Sequence, residues 1–303
     1  MAIHLNRGPA PIVGVMQQRI FGLPVDSEVI FCNYKDIYKK RIEKRQRELI
    51  IKLSFLKPFL DGDEKILLVT TGHSPPTIFE KMGLGWLFVY LKRSLLVFTD
   101  RRIFHIPTTP IYRYRNSIAQ IPYGDCQSIT LKGRSLLITY PSTLVTDKFF
   151  SIAGREKKKI REILKKMPMA DGRKTATGRI HLCPQCAAPL SASSPACRRC
   201  QLKFKSGTIA TLLAMLLPGG GYFYVRQPFL AVVAALLEVL LLIGIGISLR
   251  DLVDGVTASA ALFAGTSVLF ILEKLAAVVH ARVFIGEFVP SRKDVTFQGL
   301  SAQ

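Results

Sequence analysis

The chain has 303 residues, a formal net charge of +21 and a hydrophobic fraction of 49%, and that length holds two or three modules. A mean hydropathy of +0.27 beside so many charges excludes one evenly mixed soluble surface; residues 1–206 carry 36 Lys+Arg against 15 Asp+Glu, and residues 207–303 carry six of each. A basic front ahead of a neutral apolar third points to an anionic partner, either nucleic acid or an anionic membrane face.

Residues 1–24 lack a compact apolar run behind an early basic cluster and contain early prolines, so no secretory signal is expected. Residues 1–30 show no period. Residues 33–57 are expected to form a helix. Tyr34, Tyr38, Ile42, Leu49, Leu53 and Leu56 recur at helical spacings, and Glu43–Arg47 and Glu48–Lys52 are favourable i,i+4 pairs. The basic face of this helix suits a membrane surface or plain solvent, with the other face packed on the next domain.

From residue 60 to 153 the character changes. Short apolar or alternating runs cover Lys65–Thr71, Trp86–Leu91, Ser94–Thr99, Arg102–Ile106, Ser117–Pro122, Ser128–Lys132, Ser135–Tyr140 and Lys148–Ile152. Turn residues such as Asp100-Arg101 and Lys132-Gly133 separate them, which predicts a compact antiparallel β domain. Residues 154–167 follow as one amphipathic helix, with Ile160, Ile163, Leu164 and Met167 facing the strands.

Three segments carry a resemblance: Pro58–Leu67 (PFLDGDEKIL), Leu96–Phe104 (LVFTDRRIF) and Ile121–Ile129 (IPYGDCQSI), together with the final helix. On these the region resembles the pleckstrin-homology-like superfold in its bacterial and GRAM-type versions, with an insertion at Gly72–Gly85. The resemblance implies an antiparallel β-barrel closed by a C-terminal helix, and binding of lipid or protein rather than catalysis. Lys157, Lys158, Lys159, Lys165 and Lys166 on that helix are the candidate lipid contacts.

The strongest chemical signal is Cys183-Pro-Gln-Cys186 followed ten residues later by Cys197-Arg-Arg-Cys200. Each CxxC presents two thiolates from one tight turn, and two turns complete a tetrahedral shell suited to zinc. The spacer is too small and polar to build a core, so the metal must supply most of the folding free energy, on the order of 10 kcal/mol. With four cysteines and no open position the zinc is expected to be structural. The stretch looks like short prokaryotic zinc ribbons, in which glycine often follows each second cysteine; here Ala187 and Gln201 stand there, which puts the detailed knuckle geometry in doubt. Arg198, Arg199, Lys203 and Lys205 suit either nucleic acid or a juxtamembrane position. Cys32 and Cys126 are expected to be buried, inert thiols in a reducing compartment.

Residues 228–249 contain one charge, Glu238, and residues 256–285 form a second apolar stretch containing Glu273 and Lys274; each is long enough to span a bilayer of about 30 Å. Residues 207–225 break at Pro218-Gly-Gly-Gly221 and are expected to span or to dip in and return. The excess of Lys and Arg before residue 207 places the N-terminal part in the cytosol. Two full spans then bring Arg282, Arg292 and Lys293 to the same side. Glu238 and Lys274 are a candidate pair across the hairpin, the alternative being Glu273 and Lys274 reaching the interface. His280 is expected to be interfacial.

No Walker loop, GxSxG, HExxH or dinucleotide fingerprint occurs, and His4, His73, His105, His181 and His280 are scattered, so an enzyme is not expected. The expected organisation is multidomain α+β: an N-terminal extension with a basic helix (1–57), a PH-like domain (58–168), a linker (169–180), a zinc ribbon (181–206), a membrane domain with a transmembrane hairpin (207–289) and a tail (290–303). The expected function is a non-enzymatic membrane-anchored adaptor at the bacterial inner membrane, docking on anionic lipid and on a protein partner. The alternatives are a membrane-tethered nucleic-acid binder and an accessory subunit of a transport or secretion complex.

Overall fold

The computed structural model describes residues 19–75, 92–142, 146–169, 178–191, 194–256, 259–292 and 295. The expected strand Trp86–Leu91, most of the 169–180 linker, most of the 290–303 tail, His4 and Lys293 lie outside the described residues.

The first described residues belong to the core, although nothing periodic marks them. Strands β1 (Arg19–Ile20) and β2 (Leu23–Pro24) form a minimal hairpin. Its turn, Phe21-Gly22, has positive φ at both positions, the conformation that matches hairpin twist. One helical turn, α1 (Ser27–Ile30), follows and is capped by Asp26, whose side chain accepts from the Val29 N–H at 3.1 Å. Ile20, Leu23, Val25, Ile30 and Phe31 are buried beneath the first sheet. A hairpin this short and a single turn leave too few residues for a period to appear.

The helix expected over 33–57 starts late. The Asn33 side chain accepts from Lys35 N–H at 2.8 Å and Ile37 N–H at 3.2 Å, and Asp36 sits at φ +54°. A polar side chain that bonds its own backbone holds the chain in a turn. Helix α2 therefore runs Lys40–Ile50 and tightens into a 3₁₀ segment, Ile51–Phe59. Tyr34 and Tyr38 are exposed; Gln46, Leu49, Ile50, Leu53, Leu56 and Phe59 face inward. Gln46 is the unexpected member. Its amide donates to Val69 C=O at 2.9 Å and accepts from Val69 N–H at 3.0 Å, so one side chain satisfies the free edge of a strand.

That strand is β3 (Ile66–His73), which continues as an antiparallel meander with β4 (Arg93–Thr99), β5 (Arg102–Pro107) and β6 (Ile118–Pro122). A second meander holds β7 (Ser128–Lys132), β8 (Ser135–Thr139) and β9 (Thr146–Phe149). Helix α3 (Lys157–Lys166) covers them with Ile160, Ile163 and Leu164 buried and Met167 half-buried. The first sheet is buried on both faces, one against α2 and the 3₁₀ segment and one against the second sheet and α3.

The expected closed barrel does not form. Among the described residues the sheets are two separate ladders that touch through one isolated bridge, His73↔Phe150. The outer edge of β6 is taken instead by β10 (Ile180–Leu182), paired antiparallel from Ile180↔Gln120 to Leu182↔Ile118. This strand crosses the 180/181 boundary expected from the cysteine spacing.

The C-terminal third is helical: α4 (Gly207–Leu216), α5 (Gly220–Tyr224), α6 (Pro228–Val253) and α7 (Ser259–Ile285). Helices α6 and α7 are long and apolar enough to cross a membrane, with mean hydropathies of 2.8 and 1.9 over their most apolar stretches. Only 22% and 6% of those stretches is buried, which is not how the core helix of a soluble protein behaves. Helix α4, at 10 residues, reaches about 15 Å at 1.5 Å per residue and cannot span. It turns back at Pro218–Gly221 under tight constraint. Gly219 sits at φ +64°, and a Cβ there would lie 2.1 Å from Ala231 O; at Gly220 a Cβ would lie 2.4 Å from Leu213 O.

Candidate metal centre

Cys183 and Cys186 lie on the turn after β10, Cys197 and Cys200 on an equivalent turn. The two turns repeat the same backbone bonds. Cys183 N–H donates to Ala188 C=O at 2.8 Å and Ala187 N–H to Cys183 C=O at 2.9 Å; Cys197 N–H donates to Leu202 C=O and Gln201 N–H to Cys197 C=O, both at 2.9 Å. Ala187 and Gln201 both adopt φ +57°. The missing glycines therefore leave the knuckle intact, at a strain of about 1 kcal/mol for each L-residue in the left-handed region.

All four Sγ atoms lie within 4.8 Å of one another, and Cys183–Cys200 and Cys186–Cys197 approach to 3.5 Å. A tetrahedron with metal–sulfur bonds of about 2.3 Å has edges of about 3.8 Å, so the cage fits a four-thiolate metal ion, and the soft donor set suits zinc. Burial pushes the Cys183 and Cys186 thiols up, Cys186 to about 11. At Cys197 burial acts in the same sense, but N–H groups of Cys200 and Arg199 outweigh it and bring the thiol down to about 7. The apolar cover is small: Leu202, Phe204, Phe288 and Val295 pack around the cysteines.

This module joins the rest of the molecule on two sides. Through β10 it extends the first sheet. Through Lys203–Lys205 it pairs with the chain that leaves α7: Phe204 bridges Pro290, Lys205 N–H donates to Val289 C=O and Ser291 N–H to Lys203 C=O, both at 2.9 Å. Phe288 stacks edge-on to Phe204 at 5.5 Å and tilts over His181 at 5.0 Å. The Ser117 hydroxyl donates to Glu287 C=O, and Lys205 Nζ to Tyr224 C=O. Arg198, Arg199 and Lys203 are exposed.

Within the helical hairpin, Lys274 Nζ lies 2.5 Å from Glu238 Oε2 and also donates to Ala214 C=O at 3.0 Å, while Glu238 Oε1 accepts from Gly219 N–H at 3.1 Å. The reason is local. The helical partner of Ala214 C=O would be the N–H of Pro218, which proline lacks. Gly219 N–H lies beyond the end of α4. Lys274 and Glu238 take up these two orphaned backbone groups and each other's charge. Lys274 is thus turned to Glu238, the candidate pair across the hairpin. His280 is buried, with its Nδ1 3.0 Å from the Tyr222 hydroxyl; a lone histidine near a helix end gave no signal of this contact.

Of the five candidate lipid contacts on α3, Lys158, Lys165 and Lys166 are exposed and Lys157 is half-buried. Lys159 is buried and donates to the carbonyls of Val29 and Cys32. It pins α3 to the N-terminal segment and is not a surface contact. Cys32 and Cys126 are buried, and burial pushes Cys126 up to about 12.

One arrangement imitates catalytic machinery. Ser74 Oγ lies 2.8 Å from His105 Nε2, and His105 Nδ1 lies 2.9 Å from Arg179. Arginine only donates, so Nδ1 accepts and Nε2 carries the proton and donates to Ser74. This histidine cannot take the serine proton. Burial and Arg179 also hold its pKa well below the usual range. Arg179 continues to Asp147 at 3.1 Å and Asp147 to the Tyr140 hydroxyl at 2.8 Å, a buried polar network spanning both sheets and β10. The chain matches no protein-family model, no curated protein and no solved structure.

Proposed function

We propose that the protein is a non-enzymatic, membrane-anchored docking protein. Helices α6 and α7 cross the membrane, α4 and α5 form a re-entrant segment, and the β domain lies on the cytosolic face of a bacterial inner membrane. A structural zinc in the cysteine cage completes the ribbon. The pleckstrin-homology-like reading of the β domain is supported by its two antiparallel meanders and the helix that covers them.

The observation that carries this reading is the pairing of Lys203–Lys205, just before α4, with Val289–Ser291, just after α7. Both ends of the helical part must lie on one side, which requires an even number of crossings. The same ribbon extends the β sheet, so the domain is held in a fixed orientation on its anchor rather than tethered by a loose linker. A fixed domain presents one face to the lipid and one to a partner, and anchoring raises the effective concentration of both encounters. Exposed Lys158, Lys165 and Lys166 are each worth about 1 kcal/mol against an anionic surface if they face it.

The test uses the full chain in sealed vesicles, with one epitope between α6 and α7, after Asp254, and one at the C-terminus. The expected result is resistance to carbonate extraction, with the loop epitope on the far side and the C-terminal epitope on the side of the β domain. A chelator should expose the ribbon to protease without releasing the chain. Release by carbonate, or termini on opposite sides, would overturn the reading.

A further inference from the structure

A concentration of positive charge lies away from the cysteines, at the end of the first sheet where it meets the second. Arg41 and Arg45 from α2, Arg93 from the start of β4, Arg134 from the β7–β8 turn and Arg155 from the turn before α3 converge with His73 on one open basin of about 730 Å³. They come from five separate stretches of chain. Like charges at i,i+4, as at Arg41 and Arg45, destabilise a helix, so gathering five guanidinium groups opposes folding.

Among the described residues, Glu156 and Glu48 offset part of this at Arg45. Arg45 pairs with the buried Glu156 at 3.0 Å, whereas Arg41, Arg134 and Arg155 make no ion pair with a described residue. Arg93 is oriented in advance: it donates to Pro110 C=O at 2.6 Å and lies 5.3 Å over the Tyr112 ring. His73 Nδ1 is buried without a hydrogen-bond partner among the described residues. Burial, with Arg93 and Arg134 close by, holds His73 below its usual pKa. Gly72 lines the basin with backbone; its side-chain direction faces the core, where a Cβ would lie 3.0 Å from Ile152 and 3.2 Å from Phe150 O.

We propose that this basin binds a compact anion carrying two or more phosphate groups, gripped by Arg41, Arg134 and Arg155 between walls formed by Arg45 and Arg93. Guanidinium groups match phosphate bidentately, and one phosphate alone does not answer all three of Arg41, Arg134 and Arg155. The chain beside Arg93 reaches the anchor, though not through the basin's own lining. Lys92, next to Arg93, lies 5.8 Å over the Phe284 ring at the end of α7, and Arg115, three residues past Tyr112, lies 5.4 Å over the same ring. The phosphates are therefore those of a lipid headgroup or of a free polyphosphorylated molecule. Only the choice between these sources rests on the membrane-anchored reading.

The test takes the full chain with its metal. Tripolyphosphate is titrated by calorimetry in micelles, in phosphatidylcholine nanodiscs, and in nanodiscs containing cardiolipin, whose headgroup bears two phosphates. The expected result is saturable 1:1 binding, weakened about tenfold by Arg134→Gln or Arg155→Gln and about a hundredfold by both together. Lys35→Gln with Lys57→Gln removes the same charge from exposed positions outside the basin and should leave the affinity unchanged. Loss of tripolyphosphate binding in cardiolipin nanodiscs alone identifies the lipid as the source; equal binding in all three identifies the free molecule. No saturable binding in micelles, or equal loss in the lysine control, overturns the proposal. Carbonate extraction tests anchoring separately, so the two failures are distinguishable.

Discussion

Replacing Lys274 with methionine removes the ammonium group shared by Glu238 and the Ala214 carbonyl. Glu238 is 1% exposed, so its carboxylate is left without a counter-charge. Breaking a buried pair in this way costs about 3–5 kcal/mol. Glu238→Gln is milder, because a glutamine oxygen still accepts from Gly219 N–H and Lys274 keeps Ala214 C=O. In the double variant no charge is stranded; the loss reduces to the unpartnered carbonyl, about 1–2 kcal/mol on membrane-protein scales. Glu238→Gln should therefore destabilise the native protein yet restore about 2–3 kcal/mol to Lys274→Met. Equilibrium unfolding of all four forms in bicelles measures this reversal of sign. If Glu238→Gln costs the same in both backgrounds to within about 0.5 kcal/mol, the pair is not what secures the re-entrant turn.

Three further outcomes follow from the geometry. Ala187→Gly relieves an L-residue at φ +57° and should stabilise the ribbon by about 0.5–1 kcal/mol, read as a higher chelator concentration for half-release of metal. His105 has its folded pKa depressed, first by burial and then by Arg179, so the stability it contributes is complete above its unfolded pKa of about 6.5 and is lost as pH falls below it. His105→Gln should flatten the pH dependence of thermal unfolding below pH 6.5, and an unchanged slope would contradict the assignment. Lys159→Met should lower thermal stability without altering binding to anionic vesicles, whereas Lys165→Gln with Lys166→Gln should weaken vesicle binding at unchanged stability. The opposite pairing would return Lys159 to the surface.

The strands were legible because their alternation is local: Ser128–Lys132 falls where the residues place it, and β3, β4, β5, β6 and β8 differ by one or two positions at their ends. The two CxxC pairs marked the cage because a metal needs its ligands in fixed, short spacings. Charges inside apolar runs singled out Glu238 and Lys274, but their roles toward Ala214 and Gly219 depend on where Pro218 ends α4, which no spacing reports. Tyr34 and Tyr38 were misplaced since the Asn33 and Asp36 turn outcompetes helical periodicity. Gln46 was missed because a polar residue on an apolar stripe reads as a flaw, although it closes a strand edge. The arginine basin has no sequence signature beyond Arg41 and Arg45: its members are separated by up to 114 positions and meet only in the fold.

The cover of the metal cage comes from far down the chain. Phe288 packs on the cysteines, yet it is synthesised 88 residues after Cys200 and behind both long helices. At about 5–20 residues per second the ribosome needs roughly 4 to 18 seconds to supply it. During that interval the four ligands exist but the cage is open on one side. On the membrane topology proposed above, only a hairpin inserted with both ends on the same face can deliver Phe288 to it. A chain inserted with one crossing too few leaves the metal exposed to exchange. Metal retention thus becomes a record of correct insertion, and a misinserted copy should be recognisable by a ribbon that gives up its ion to a mild chelator.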